Sequence, residues 1–301
     1  MKMFVSASRF LLPLLVCLIT FHANRTSPAE ELRFKFKKGE KFKIKIEQDV
    51  STKQSVGGFD AETPMKMISD ISWEIEDVNQ DTYRIAQTID RMQMSLEIPV
   101  LGKVKFDSNS DANEGIAADM ATAMKPMIGV KIVQDMDSRG KVSNVKIPEK
   151  ALKELAANPL LKQMFNEDSL KQMFGQSSVV LPEKEVKKGD VWKHDMQVKS
   201  PIGLMKLNNE YHYDGRDDQG LDKLLIQTET TIEADADSPL GVKINIKEQD
   251  TSGVIMFDNK LGHLTSSEVK QKMVMTVTAQ GQEINQTISS KTKMTFAPDK
   301  Q

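Results

Sequence analysis

The strongest constraint on the fold of this chain is the alternation of apolar and polar side chains that begins near residue 33. Phe34 and Phe36, followed by Phe42, Ile44 and Ile46, alternate with lysine and arginine. A period of two residues is typical of a β-strand with one buried face and one solvated face. Similar runs, separated by turn residues, lie at about 65–78, 83–98, 103–107, 130–137 and 141–147. The sequence therefore predicts antiparallel hairpins and a mainly β chain with a few helices, an α+β class.

Two segments in the middle third interrupt this pattern. Asp111 and Glu114 stand at the spacing of a capping box, and apolar residues then recur every three to four positions. These features predict a helix at about 112–128. A second run with helical spacing predicts helices at about 149–175, within a connector at 148–185.

The opening pattern of the strands recurs later in the chain. Residues 37–43 read Lys-Lys-Gly-Glu-Lys-Phe-Lys, and residues 187–193 read Lys-Lys-Gly-Asp-Val-Trp-Lys. In the same order, the turn at 135–140 is matched by the turn at 257–262. We interpret these matches as an internal duplication. The alternative is chance recurrence of a short motif in a lysine-rich chain.

The duplication divides the chain into four predicted segments. They are a signal peptide at 1–29, a first β-meander half at 30–147, the helical connector at 148–185 and a second β-meander half at 186–301. Each half is expected to be a curled antiparallel meander. The pattern allows either one continuous sheet or two half-barrels.

Several motifs together resemble an uncharacterised family of exported bacterial proteins and lipoproteins, a domain of unknown function. They are the start Leu32–Phe42, Trp73 with the turn Asp77–Tyr83, the turn Asp137–Gly140, and Gly189–Trp192. These motifs are strand and turn residues, and the family has no assigned activity. The resemblance implies export and a shared fold.

The first 29 residues have the layout of a signal peptide. Lys2 and Arg9 precede the uncharged run Phe10–Phe21, which is shorter than the roughly 20 residues that span a bilayer. Cleavage is expected after Ala29, with Ala23 as the alternative site. We therefore expect an exported protein, either periplasmic or extracellular, that has lost its cysteine, Cys17, with the signal peptide.

Composition excludes several functions. A formal net charge of -2 and 6% aromatic residues argue against nucleic-acid binding. A single cysteine excludes an intramolecular disulfide, and His194, His212 and His263 lack zinc-site spacing. No phosphate loop, dinucleotide fingerprint or nucleophile elbow occurs. We predict no cofactor, no metal and a noncatalytic role. A hydrolase remains the alternative if those histidines converge with carboxylates in one pocket.

The 18 methionines carry the leading functional hypothesis. Several stand two residues apart, which places both members of a pair on one strand face, while two more lie in the first predicted helix. We predict that they line a concave sheet face holding an apolar ligand, either a lipid or a segment of an envelope protein. The alternatives are a filled core in a structural or interaction protein, and copper(I) bound by thioethers. The candidate lining residues are Met65, Met67, Met92, Met94, Met120, Met124, Met273 and Met275.

The first alternating run is also strongly basic. It includes Lys35, Lys37, Lys41 and Lys43. Lysines on an exposed strand protect a sheet edge from pairing with other chains. The alternative is weak contact with an anionic membrane surface.

Overall fold

The computed structural model describes residues 29–56, 59–99, 102–157, 170–171, 179–200, 203–233, 242–279 and 282–299. The elements in chain order are β1 (Lys41–Val56), β2 (Phe59–Asn79), β3 (Thr82–Ile98), β4 (Gly102–Asp107), α1 (Ile116–Met124), a 3-10 turn (Lys125–Met127), β5 (Lys131–Asp137), β6 (Val142–Lys146), α2 (Glu149–Ala157), β7 (Val191–Ser200), β8 (Gly203–Arg216), β9 (Asp222–Glu233), β10 (Val242–Asp258), β11 (His263–Ala279) and β12 (Gln282–Pro298).

All twelve of these strands belong to one antiparallel sheet. Their order is β6-β5-β3-β2-β1-β12-β11-β10-β9-β8-β7, and β4 pairs with β3. The pairing of β1 with β12 joins the beginning of the chain to its end, and the sheet does not close into a barrel. Of the two arrangements that the sequence pattern allowed, the structure has the continuous sheet.

The main core lies at one end of the sheet, and the segment before β1 crosses it. The ring centroid of Phe36 is 5.2 Å from that of Phe42 and 5.3 Å from that of Tyr83, and that of Phe34 is 5.4 Å from that of Phe257. The sequence pattern predicts a strand around Phe34 and Phe36. This prediction is wrong, because the segment before β1 belongs to no strand. An extended segment with one buried side has the same two-residue period as a strand.

A closing segment, residues 179–186, contacts both edges of the sheet at the core end. The amide N–H of Leu181 donates to the carbonyl oxygen of Arg139, between β5 and β6, at 2.8 Å. The indole Nε1 of Trp192, on β7, donates to the carbonyl oxygen of Val180 at 2.9 Å. The sheet therefore curls until its two edges lie on either side of this segment.

The first lysine-rich turn is held by a specific set of hydrogen bonds. The amide N–H of Lys37 donates to the side-chain Oε2 of Glu40 at 2.8 Å. Gly39, at a φ of 85°, donates its N–H to the carbonyl oxygen of Ile75 on β2 at 2.8 Å. A positive φ explains the glycine, because other L-residues are strained there.

The second lysine-rich turn forms the same set. The amide N–H of Lys187 donates to Oδ2 of Asp190 at 3.0 Å, and Gly189, at a φ of 95°, donates to the carbonyl oxygen of Tyr213 at 2.8 Å. In both cases the acceptor carbonyl lies on the second strand of its half. The two turns therefore have the same hydrogen-bonding pattern, and the duplication stays a prediction.

The helices lie over the β5 side of the sheet. A second core cluster combines Met127, Ile132 and Ile147 with Ala151 and Leu155 of α2. The two α2 residues are four positions apart and share one helix face, which explains why that face is buried. Across the part of the chain that the structure describes, no helix has the length and apolar character needed to cross a membrane.

Candidate functional site

Strand pairing defines which side chains share a face, because residues directly opposite each other on neighbouring strands point to the same side. Ile44 of β1 lies opposite Ile71 of β2 and Phe296 of β12. All three belong to the main core or pack against it. We call the face that carries this core the inner face, and the opposite one the outer face.

The sheet methionines lie on the inner face. Met67 of β2 lies directly opposite Met94 of β3, and Met65 lies opposite Val50 of β1. Met92 and Met94 are two positions apart on the same strand and therefore share the face. The four methionines are half-buried, so they line the inner face without being enclosed by it.

The methionines of β11 are on the same face but more deeply buried. Met273 lies opposite Ile288 of β12, and Met275 lies opposite Gln286. Their side chains are 6% and 5% exposed. The inner face is therefore better covered at β11 than at β2 and β3.

The two helix methionines occupy a different environment. Met120 and Met124 are half-buried on α1, which packs against β4 and the 3-10 turn. The buried methionine of this region is Met127, in the second core cluster. The structure thus places α1 beside the β4 region of the sheet.

Beyond the core, the inner face of the five central strands β1, β2, β3, β11 and β12 has no formally charged side chain among the residues that the structure describes. It carries methionine, aliphatic residues, serine, threonine and glutamine. These positions are Gln48, Val50, Thr52 and Gln54 of β1; Thr63, Met65, Met67 and Ser69 of β2; Met92, Met94 and Leu96 of β3; Val269, Gln271, Met273 and Met275 of β11; and Ile284, Gln286, Ile288, Ser290 and Thr292 of β12.

The outer face of the same strands is highly charged. It carries acids and bases in similar numbers, and ion pairs join several of them. These residues are Glu47, Asp49 and Lys53 of β1; Glu62, Lys66 and Asp70 of β2; Arg91 and Glu97 of β3; Glu268, Lys270 and Lys272 of β11; and Lys291 and Lys293 of β12. Charge is therefore segregated to one side of the sheet over its whole central region.

One outer-face pair has a clear electrostatic effect. The Nε of Arg91 donates to Oδ1 of Asp107 at 3.0 Å across β3 and β4. Hydrogen bonding by the guanidinium lowers the pKa of Asp107 to about 2. This pair fixes the end of the short strand β4, which precedes the helical region.

The basic residues of the first run lie on a central strand and on the segment before it. β1 pairs with both β2 and β12, so the prediction that its lysines protect a sheet edge is wrong. The ammonium of Lys43 donates to Ser72 at 2.7 Å and pairs with Asp90 at 3.2 Å on the outer face. Lys35 donates to the carbonyl oxygen of Asn259 at 2.7 Å.

The three histidines lie in different environments. His194 faces inward on β7, where burial and the charges of Lys141 and Arg139 lower its pKa. His212, on the outer face of β8, bonds Glu210 at 2.9 Å. His263 is buried, with Nδ1 2.8 Å from the carbonyl oxygen of Leu264. Across the described ranges, no group of three or more histidine, cysteine or acidic residues is arranged to hold a metal ion.

Sequence reasoning missed a fork in the sheet between β9 and β10. The two strands pair only between Asp222–Gln227 and Ser252–Phe257. Beyond Gln227 and Ser252, the side-chain amide of Gln249 bonds the β9 backbone in place of strand pairing. Its oxygen accepts from the N–H of Thr230 at 2.7 Å, and its nitrogen donates to the carbonyl oxygen of Thr230 at 3.0 Å. The fork coincides with the run Lys247–Gly253 of β10, which interrupts the apolar alternation, and with a register shift between Ile246 and Glu248.

Solved structures with a likeness to this chain include three that match most of its length. One, of lipid–protein interactions in lipovitellin, is 10% identical with a TM-score of 0.47, and the match covers 87% of this chain and 25% of that one. DynF from the dynemicin biosynthesis pathway of Micromonospora chersina is 9% identical, with a TM-score of 0.23 and coverage of 90% and 86%. An outer membrane channel from Pseudomonas putida F1 is 8% identical, with a TM-score of 0.23 and coverage of 87% and 97%.

This chain thus spans about a quarter of the length of the lipovitellin chain that it matches. All three TM-scores lie below 0.5.

No curated protein matches the chain. A family model does match, over residues 80–264, which is more than half of the 301 residues. The matched region includes β3 through β10 with both helices, and it confirms the expectation of an uncharacterised domain family. The chain belongs to DUF6263, a family of unknown function.

Proposed function

We propose that this protein is an exported, noncatalytic carrier that holds an apolar ligand on the inner face of its sheet. The observation that carries the proposal is the segregation of charge: the central strands are charged on the outer face and uncharged on the inner one. A surface selected only for solubility would carry charge on both exposed sides of an open sheet.

The inner face has suitable chemistry for a hydrocarbon. Burying a methylene group contributes about 0.8 kcal/mol, so an acyl chain of a dozen or more methylenes gains ample free energy from a long uncharged surface. Flexible methionines such as Met67 and Met94 adapt to chains of different shape. A charged side chain at these positions would oppose binding, because its desolvation is unfavourable.

Partial burial distinguishes this face from a filled core. The fully buried large side chains, such as Phe257 and Ile85, cluster at the core end, whereas Met65, Met67 and Met94 are half-buried. A filled interior is favoured near Met273 and Met275 of β11, and locally near Ser69 and Phe106, which are also buried. We therefore propose that the ligand lies against β1, β2 and β3, away from the well-covered inner face of β11.

We propose the periplasm or the extracellular space as the location, from the signal-peptide layout of residues 1–29. A carrier there meets envelope lipids and envelope proteins as ligands or partners. The lysines Lys35, Lys37, Lys41 and Lys43 are proposed to make weak contact with an anionic membrane surface, which is expected to weaken as salt rises.

The proposal is tested by purifying the full protein from its native host and extracting it with organic solvent. Mass spectrometry is expected to detect a lipid or another apolar molecule at a substantial molar fraction. The delipidated protein is then titrated with the hydrocarbon fluorophore diphenylhexatriene, which is expected to bind and to be displaced by the extracted molecule. An empty extract together with no fluorophore binding contradicts the proposal.

A further inference from the structure

Phe59 is the most exposed large apolar side chain among the described residues. It is 84% exposed and begins β2, where it pairs with Val56 at the end of β1. The main core lies at the other end of these strands, around Phe42 and Ile75. Phe59 therefore stands at the end of the sheet that is remote from the core.

Phe59 continues the inner face to the end of β2. Side chains at every second position of a strand share a face, so Phe59 lies on the same side as Met65 and Met67. Burial decreases toward this end, because Met67 and Met65 are half-buried and Phe59 is exposed. The inner-face residues in this row are uncharged, and we call them the β2 strip: Phe59, Ala61, Thr63, Met65 and Met67.

Apolar side chains of β3 and β4 flank the inner part of this strip. Leu96 is directly opposite Met65, Val104 is opposite Leu96, and Ile98 follows on the same face of β3. All three flanking residues are half-buried. β2 extends past its pairing with Leu96, and at roughly 3.3 Å a residue Phe59 lies about 20 Å beyond Met65. The strip thus runs from an apolar surface to the end of a protruding hairpin.

The strip provides an exchange route for a ligand that lies against β1, β2 and β3. At the core end, rings such as those of Phe36 and Phe42 fill the interior, with centroids 5.2 Å apart. Paired strands separate the inner face from the outer one. The β2 strip instead leads outward without a charged side chain that an apolar molecule would have to desolvate. We therefore expect the ligand to enter and leave along it.

The chemistry of the hairpin end favours a lipid bilayer as the partner there. An exposed phenylalanine gains free energy when acyl chains bury it. The charged pair of the same hairpin, Lys53 with Glu62 at 3.5 Å, lies on the outer face and remains in water when the inner side meets lipid. A protein partner is disfavoured, because the end of one hairpin offers far less than the roughly 800 Å² that each partner buries in a stable complex.

We propose that the hairpin end docks on a lipid bilayer with Phe59 among the acyl chains, and that the ligand passes between bilayer and inner face along the β2 strip. This inference rests on the proposed carrier function and names the surface at which the carrier exchanges its ligand. The contact is apolar and needs no anionic lipid. It differs from the contact proposed for Lys35, Lys37, Lys41 and Lys43, which lie at the core end and need anionic lipid.

The first test measures sedimentation of the purified full protein with vesicles of phosphatidylcholine, which have no net charge. The protein is expected to bind at low and at high salt alike, because apolar burial is not screened. Phe59→Ala is expected to weaken binding by about tenfold or more. The matched control is Leu261→Ala, because Leu261 is 58% exposed but lies between β10 and β11 at the core end; it is expected to leave vesicle binding unchanged.

A fluorescent label tests insertion directly. Phe59→Cys and Leu261→Cys are each made together with Cys17→Ser, which removes the single cysteine of the chain, and are labelled with a polarity-sensitive dye. The emission of the dye at position 59 is expected to shift to shorter wavelength when phosphatidylcholine vesicles are added, whereas that at position 261 stays unchanged. Both residues are exposed, so the substitutions are not expected to affect folding.

A transfer experiment tests the exchange route. Diphenylhexatriene is supplied in vesicles that also contain a nonexchangeable energy acceptor, so its emission rises as it moves to the protein. Phe59→Ala is expected to slow this transfer by about fivefold or more, since fewer molecules are docked, while the equilibrium affinity for the fluorophore stays unchanged. An unchanged rate of transfer would contradict the route along the β2 strip.

The outcomes separate docking from the carrier function. If diphenylhexatriene binds to the protein but Phe59→Ala and Leu261→Ala bind vesicles equally, the docking proposal is wrong and the carrier function stands. Binding to anionic vesicles alone, lost at high salt, would assign membrane contact to the lysines and overturn the docking proposal. A dimer that forms without vesicles and that Phe59→Ala dissociates, as measured by analytical ultracentrifugation, would show that a second copy covers Phe59 and would also overturn it.

Discussion

The segment before β1 is expected to be an integral part of the fold, and Phe36→Ala tests this. Phe36 is 4% exposed, and its ring meets those of four residues from four strands, namely Phe42, Trp73, Tyr83 and Phe296. Truncation of a buried phenylalanine in such a cluster costs about 3–5 kcal/mol, because the transfer free energy is lost and a cavity remains. Few other single substitutions at the core end are expected to lower the free energy of unfolding by a larger amount.

The measurement is urea denaturation followed by tryptophan fluorescence, supported by thermal unfolding. The free energy of unfolding is expected to fall by about 3–5 kcal/mol, and the melting temperature by about 6–20 °C for a chain of this size. The matched control is Phe59→Ala, since Phe59 is 84% exposed; its effect is expected to stay within about 0.5 kcal/mol. Equal effects of the two substitutions would refute the packing described for this segment.

Three further predictions concern stability. Arg91 holds the pKa of Asp107 near 2, below its ordinary 3.8. The pair therefore stabilises the fold above about pH 4, and this contribution is lost between about pH 4 and 2. Asp107→Asn should remove this part of the pH dependence of stability, as measured by urea denaturation at each pH. Gly262→Ala should lower the melting temperature more than Gly220→Ala. Both glycines have a positive φ, but only a methyl group at Gly262 would meet backbone before β1, the amide nitrogen of Lys35 at 2.5 Å. Equal losses of melting temperature would contradict that close approach. Thr230→Val should raise the free energy of unfolding by about 1 kcal/mol, because the Thr230 hydroxyl is buried without a partner among the described residues; a loss of stability would show that this hydroxyl is satisfied.

Local periodicity was sufficient to predict part of the candidate site. Met65 and Met67 share a face because successive side chains of a strand alternate, and this holds whatever the partner strand is. The opposition of Met67 and Met94 depends on the register between β2 and β3. The hairpin turn at 79–82 and two offsetting register shifts, at Ile75/Asp77 and at Asp70/Ile71, set that register, and the sequence pattern does not specify the shifts.

Long-range arrangements were not predictable in the same way. The lysines of β1 were expected at an edge, but β12 pairs with β1 from the far end of the chain, and no local pattern reports such pairing. Phe34 and Phe36 have strand periodicity but cross the end of the sheet, because burial on one side imposes the same period on any extended segment. The fork at Gln249 lies within the run Lys247–Gly253, which has no apolar side chain, but that run alone does not specify that β9 and β10 separate there.

The central claim is that ligands bind to the inner face, and a pair of adjacent substitutions on β2 tests it most directly. Met67 faces inward and Ile68 faces outward, and both are half-buried. Met67→Lys is expected to weaken diphenylhexatriene binding by about tenfold or more, because it places a charge against the apolar ligand, whereas Ile68→Lys leaves the affinity unchanged. Equal affinities for the two variants, with both folded as judged by circular dichroism, would contradict the account.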